Sequence, residues 1–221
     1  ERDLGKLGEY LKANRLNFDQ LKSDPYSFYA KRILGLPVLE KVDAEPSYAW
    51  RGSLVHDILE KWFTHDKCAV DKLVARADAL LAQEATDPLL RALWQPRIAA
   101  GLRWAADETR RLINEKGREV AVAEQPGTVQ IKGIAVKGRV DRIDRTAEGD
   151  LVIIDYKTGT PPSVESQKHF AKQLLLAAAM AERGGFADLG PSDVSKISYV
   201  GLGAGEKAVE TDTTPDLLAV D

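Results

Sequence analysis

At 221 residues the chain can bury one sizeable core, or one domain with a helical appendage, and its 44% hydrophobic and 29% charged residues are ordinary for a globular protein. The single Cys68 excludes an internal disulfide and any four-cysteine cluster within the chain, in keeping with a reducing cytoplasm, and no apolar stretch approaches the ~20 residues that cross a bilayer. The formal net charge of −3 argues against tight autonomous nucleic-acid binding, and no phosphate-binding loop is present, so any motor must lie elsewhere.

The chain opens on Glu1 rather than Met and ends in a polar tail, the pattern expected of a fragment of something larger. Residues up to about Pro37 read as helical, with Leu11, Phe18, Leu21, Tyr26, Tyr29, Ile33 and Leu34 as apolar points and Asp24-Pro25 as a helix start. Lys41 to Tyr48, with Pro46, reads as a linker. A strong helix begins near Gly52-Ser53, where Val55, Ile58, Leu59 and Trp62 form a buried stripe. Asp71 to Ala85 is a second amphipathic helix, broken at Asp87-Pro88. A long helix runs from about Pro96 to Glu115 and stops at Gly117. Trp50, Trp62, Trp94 and Trp104 fit helical core spacing better than a base-stacking platform.

Strands are expected at Val120–Gln125, Thr128–Lys132, Ile134–Arg145 and Leu151–Lys157, a helix from about Lys172 to Arg183, and a last strand at Lys196–Gly201. After Gly205 the composition reads as disordered. The pattern is α/β: a mixed central sheet of about five strands flanked by helices, with a helical lobe before it. The domain division that follows is 1–50 as an N-terminal helical segment and linker, 51–203 as the core, and 204–221 as a flexible tail.

One hairpin concentrates the chemistry. Folding about Glu148 sets Asp141 opposite Asp155, and opposed residues share a face with Cβ atoms about 4.5–5.5 Å apart. Lys157, two residues on, returns to that face. Two adjacent carboxylates repel unless a proton or divalent cation lies between them, and a neighbouring lysine can position or deprotonate a water. That is the layout of a metal-dependent phosphodiesterase; a turn-forming Asp and a surface Asp–Lys pair are the alternatives on spacing alone. The continuous apolar run Leu151-Val152-Ile153-Ile154 favours the site, because it delivers charges to the rim of a buried sheet. Lys132, Lys137, Arg139, Arg142, Arg145 and Lys157 crowd the same region into a local basic face.

Other groups can join it. His56 and Glu60 lie four apart, at the edge of a helix's apolar stripe, where an imidazole is either a metal ligand or a packed histidine. Glu124 stands inside a strand, against its low propensity there, as a surface residue or a site residue. Gln173 opens an apolar helix, either as a helix-start hydrogen-bonding group or as an amide that meets a base or phosphate. His65 and His169 stand alone, and Cys68 has no partner.

Taken in order, these pieces resemble the RecB-like nucleases of the PD-(D/E)XK superfamily. Arg51-Gly52 through His56 to Leu59-Glu60 is similar to their RG-x-x-x-H-x-x-L-E, Gly138 to Asp144 to their G-R-x-D-x-I-D, and Asp155-Tyr156-Lys157-Thr158-Gly159 to their D-Y-K-T-G. Gln173 with Leu174 to Ala177 is similar to their Q-x-x-x-Y, with Ala177 in place of the tyrosine. Asp24 to Ala30 and Ile33 to Leu36 further resemble the C-terminal nuclease domain of AddB-type double-strand-break repair proteins. The resemblance spans about residues 14 to 203.

It implies that His56, Asp141, Asp155 and the Tyr156 carbonyl hold Mg²⁺, with Mn²⁺ as a substitute, and that Lys157 is catalytic alongside Asp141 and Asp155. Gln173, Glu60, Glu124, Arg51 and Arg139 become DNA-binding or supporting residues. Asp24 occupies the place of an early cluster cysteine and no late cysteines follow, so no iron–sulfur cluster is expected. The implied function is phosphodiester hydrolysis in end processing and recombinational repair, on single-stranded DNA ends. The implied partners are a helicase–nuclease subunit and the rest of the chain itself, with no membrane. The alternative is a catalytically inactive nuclease fold that binds DNA or scaffolds a helicase, which the acidic net charge and Ala177 favour. Intact metal and lysine positions oppose it.

Overall fold

The computed structural model describes residues 24–36, 48–84, 88–131, 134–169, 172–203 and 207–213. Helix α1, Pro25–Arg32, starts where the sequence signals it: Asp24 Oδ1 accepts the Ser27 N–H at 3.0 Å, and Pro25 takes the first helical position. Helix α2, Tyr48–Thr64, begins four residues before the expected Gly52, and α3 covers Val70–Glu84. Helix α4, Pro88–Lys116, begins eight residues before the expected Pro96, which lies inside it. A proline costs one helical hydrogen bond and a clash, yet the turns on either side carry the helix through. It ends at Gly117, whose φ of +60° suits a C-terminal glycine. Among the described residues no helix is long and apolar enough to cross a membrane.

Five strands form one mixed sheet in the order β1-β2-β3-β4-β5. Strand β1, Glu119–Ile131, is continuous where two strands were expected. It runs through Pro126 because it is an edge strand, where a missing N–H is harmless. At the next residue the Phe186 ring comes within 2.5 Å of where a Gly127 Cβ would lie, so only glycine fits. Strand β2, Ile134–Arg145, lies antiparallel to β1 and to β3, Leu151–Lys157. Their pairing, Arg142↔Ile154 through Arg145↔Leu151, is the register expected from a fold about Glu148.

Helices α5, Val164–His169, and α6, Gln173–Glu182, then carry the chain to β4, Val194–Gly201, parallel to β3. The segment read as disordered after Gly205 instead supplies β5, Lys207–Asp212, antiparallel to β4. Its side chains are mostly polar and exposed, so hydropathy does not reveal it. Backbone pairing holds it, with a Thr211 Oγ1 to Gln167 Oε1 bond of 2.7 Å to α5. The expected strand number is met, with one expected break absent and one strand unforeseen.

Alternation in β3 builds two cores. Val152, Ile154 and Tyr156 pack with Val55, Ile58, Leu59 and Trp62 of α2, Leu73 of α3 and Leu102 and Ala105 of α4. Leu151 and Ile153 pack with Leu174, Leu175 and Met180 of α6 and Tyr199 of β4. Helix α4 meets the end of β4 closely: a Cβ on Gly101 would lie 2.6 Å from the Leu202 carbonyl oxygen.

Candidate metal centre

Three elements deliver three ligand-type side chains to one point. His56 from α2, Glu124 from β1 and Asp141 from β2 offer nitrogen and oxygen atoms that lie within 4.8 Å of one another. His56 Nδ1 stands 3.5 Å from Asp141 Oδ2 and 3.8 Å from Glu124 Oε1. Glu124 is placed by a local irregularity of the backbone within a continuous strand. The β1–β2 ladder pairs Ala123 with Arg142 and Gln125 with Val140, which sets Glu124 opposite Asp141, and Glu124 has φ +50°. Val140 and Ile143 both enter the α6-side core although three residues apart, so β2 loses its alternation at the same level. A glutamate held in that region costs about 1–3 kcal/mol, the kind of strain that accumulates at functional sites.

Asp155 and Lys157 stand next to this group on β3. Lys157 Nζ lies 2.7 Å from Asp155 Oδ2 and 5.7 Å from the Tyr199 ring centroid. Gln173, exposed at the start of α6, donates its amide to Asp155 Oδ1 at 3.3 Å. Asp141 Oδ2 accepts the Tyr156 backbone N–H at 2.8 Å. At the rim, Arg139 Nη1 approaches Glu124 Oε2 at 3.3 Å with its side chain 40% exposed. Glu60, a turn beyond His56, is outside the group of three, and the Arg51 side chain lies outside the described residues. Ala177 is buried within the α6-side core.

The electrostatics are those of crowded carboxylates. Burial, then the charge of Asp155, push the Asp141 carboxyl up to about 7, against the pull of His56 and the Tyr156 N–H. Burial raises Asp155 as well, opposed chiefly by Lys157. For His56 burial alone would lower the imidazole, but Glu124, Asp141 and Asp155 together hold it above its ordinary value. Asp155 Oδ2 is buried, and the Lys157 ammonium 2.7 Å away is its ion-pair partner. An imidazole nitrogen and several oxygens that repel one another are the donor set a hard divalent cation satisfies.

Behind the site lies a group the sequence reading passed over. Arg142 and Asp144 are 1% and 0% exposed and form a two-pronged ion pair of 2.5 and 2.7 Å. Arg142 Nη1 also donates to Thr109 Oγ1 of α4 at 2.7 Å and to the Tyr156 hydroxyl at 3.1 Å. Opposite charges two apart in a strand next to apolar residues are the signal for it: both share one face, and that face is covered.

A model of the PD-(D/E)XK nuclease superfamily matches residues 17–219. An uncharacterized protein of Rickettsia typhi is 28% identical over 202 residues, which cover 85% of this chain and 23% of that protein. One from Rickettsia conorii is 28% identical over 182 residues, covering 76% and 22%. The chain thus spans under a quarter of the length of these curated relatives. The crystal structure of SSO0001 aligns over 86% of this chain and 77% of that one, with 14% identity and a TM-score of 0.33.

Proposed function

The chain belongs to the PD-(D/E)XK nuclease superfamily, and from that premise we propose that it is a metal-dependent DNA nuclease domain that hydrolyses phosphodiester bonds. The convergence of His56, Glu124 and Asp141 within 4.8 Å, with the Asp155–Lys157 pair beside them, carries this reading. His56, Asp141 and Asp155 are the residues that would hold Mg²⁺ or Mn²⁺, with the Tyr156 carbonyl, and Glu124 is a further candidate ligand. Such a cation supplies neutralisation of the scissile phosphate and acidification of a water.

The protein groups supply position. Lys157, braced against Asp155, orients a water for in-line attack and takes up or releases its proton. Gln173 fixes the rotamer of Asp155 through its amide. Arg139, half-exposed at the rim beside Glu124, would meet a DNA phosphate, a contact that sets register without reading sequence. The likeness of residues 24–36 to AddB-type nuclease domains is the support for a setting in a helicase–nuclease at double-strand breaks.

Cleavage of radiolabelled single-stranded DNA with Mg²⁺ or Mn²⁺, beside Mn²⁺ titration of the same preparations, is the test. The parent chain should cut and bind Mn²⁺, while Asp155→Ala should lose both and Lys157→Ala should lose cutting by at least about a hundredfold. Equal cutting by parent and variants would sink the nuclease reading. A parent that neither cuts nor binds Mn²⁺ would be the scaffold instead, a role for which the acidic net charge and Ala177 are the support.

A further inference from the structure

The backbone pairing between β2 and β3 ends at Arg142↔Ile154, just short of the site. Beyond it β2 stays paired to β1, and β3 to β4 through Asp155↔Tyr199, Tyr156↔Val200 and Lys157↔Gly201. The ladder therefore stops one residue short of Asp141 and Asp155, and from that point on no backbone pairing holds the two strands together. Two bonds through side chains span the gap among the described residues. The Tyr156 N–H reaches Asp141 Oδ2 at 2.8 Å, and Arg142 Nη1 reaches the Tyr156 hydroxyl at 3.1 Å.

One bond leaves the Tyr156 backbone toward the site, and the other reaches its side-chain hydroxyl in the core on one face of the sheet. The core anchor is buried and held from several sides. Both nitrogens of the Arg142 fork are taken by Asp144, Nη1 is shared with Thr109 of α4, and the guanidinium carbon sits 5.1 Å from the Phe63 ring centroid of α2. Arg142 follows Asp141 and Tyr156 follows Asp155, so each site carboxylate neighbours one half of the buried bond. A stiff aromatic ring 3% exposed transmits that constraint with little slack.

We propose that the buried Arg142–Tyr156 bond sets the separation of Asp141 and Asp155 from the opposite face of the sheet, which makes Tyr156, through its hydroxyl, a positioning residue of the metal centre. The effect on metal affinity rests on the reading of that centre given above; the tether itself does not.

Tyr156→Phe tests it, since it keeps ring volume and leaves Arg142 bonded to Asp144 and Thr109. Thr109→Val is the control: it removes another bond to the same Nη1 without touching the β2–β3 gap. Two measurements are made on the metal-free chain and with Mn²⁺ alone: hydrogen exchange of the residue-156 amide, and the Mn²⁺ dissociation constant. Tyr156→Phe should speed exchange of that amide by about tenfold and weaken Mn²⁺ binding by about tenfold, the lower end of what outer partners of metal ligands contribute. Thr109→Val should lose comparable thermal stability while leaving both within about twofold. An amide 156 as protected in Tyr156→Phe as in the parent overturns the proposal. So does an equal loss of protection and affinity in both variants, which would be general loosening. Should Tyr156→Phe not fold, Arg142→Lys is read the same way: it keeps a charge beside Asp144 but cannot span Thr109 and Tyr156. If the parent binds no Mn²⁺ while amide 156 responds as stated, the tether stands and the nuclease reading is what fails.

Discussion

Neighbouring residues of β2, one of them joined by Asp155 of β3, build two charged groups of opposite temperament. Arg142 and Asp144 are fully buried, yet their charges cancel and both oxygens of Asp144 are matched by guanidinium nitrogens. Asp141 and Asp155 are less deeply buried and remain in conflict, with carboxyls pushed up by burial and, in Asp141, also by the other's charge. Burial alone therefore does not distinguish function from structure. Charge balance separates the two groups: the matched pair holds the sheet to the helices, while the crowded carboxylates keep raised affinities for protons, the pattern expected of a candidate site.

The sharpest way to break this contrast is to unbalance the satisfied group. Asp144→Ala strands Arg142 in a core with no counter-charge and should cost about 3–5 kcal/mol, read as a fall in the urea midpoint at constant slope. The chain's net charge changes no more than in Asp141→Asn, which should stabilise the metal-free fold by removing one of the competing carboxylates. A milder loss in Asp144→Ala than in a surface Asp107→Ala control would mean that the buried pair holds nothing together.

Much of this was legible beforehand because the informative residues obey local rules. The turn at Thr146–Asp150 and the two apolar strands flanking it set a register that carries Asp141 to Asp155 by counting alone. Helical periodicity put His56 at the edge of an apolar stripe and Gln173 at the start of an apolar helix, but left each with a structural alternative that only the motif resemblance set aside. What escaped depends on long-range partners. Glu124 stood out as an acid inside a strand, but nothing local announces its φ of +50° or that the ladder places it across from Asp141. Strand β5 has no apolar face, so only its pairing partner defines it. Arg142 and Asp144 look like part of a basic surface until α4 and Phe63 cover them.

The crowded carboxylates should also reveal themselves in pH dependence. Asp141 holds its proton to about pH 7 in the folded chain and near 3.8 when unfolded, so between those values the native state binds more protons. Metal-free stability then falls as pH rises through that window. Asp155 is shifted the same way, and the raised His56 contributes stability at low pH that is lost as pH climbs through its folded value. Urea unfolding in a chelator should show a loss of about 1–3 kcal/mol from pH 5 to pH 8, below the full value of the shift because the site opens to solvent. Mn²⁺ should recover most of it, increasingly at higher pH, since it competes with the same protons. Asp141→Asn should flatten the chelator curve; a parent curve already flat would show that the carboxylates do not compete.

The smallest effect separates backbone strain from charge at Glu124. Both Glu124→Ala and Glu124→Gly delete the carboxylate from beside His56 and release Arg139, which is exposed enough to be solvated at little cost. They differ in what φ +50° demands of them: alanine carries a Cβ into a region that disfavours it, and glycine does not. Glycine in turn loses more entropy on folding, which offsets part of the gain. The net expectation is that Glu124→Gly is more stable than Glu124→Ala by about 1 kcal/mol, or about 2–4 °C in Tm at this chain length, while the two weaken Mn²⁺ binding equally. A strand that relaxes to negative φ in the alanine variant would erase the stability difference. The native backbone would then be bent by the carboxylate's own contacts with His56 and Arg139, and the strain would belong to the site, not to the sheet.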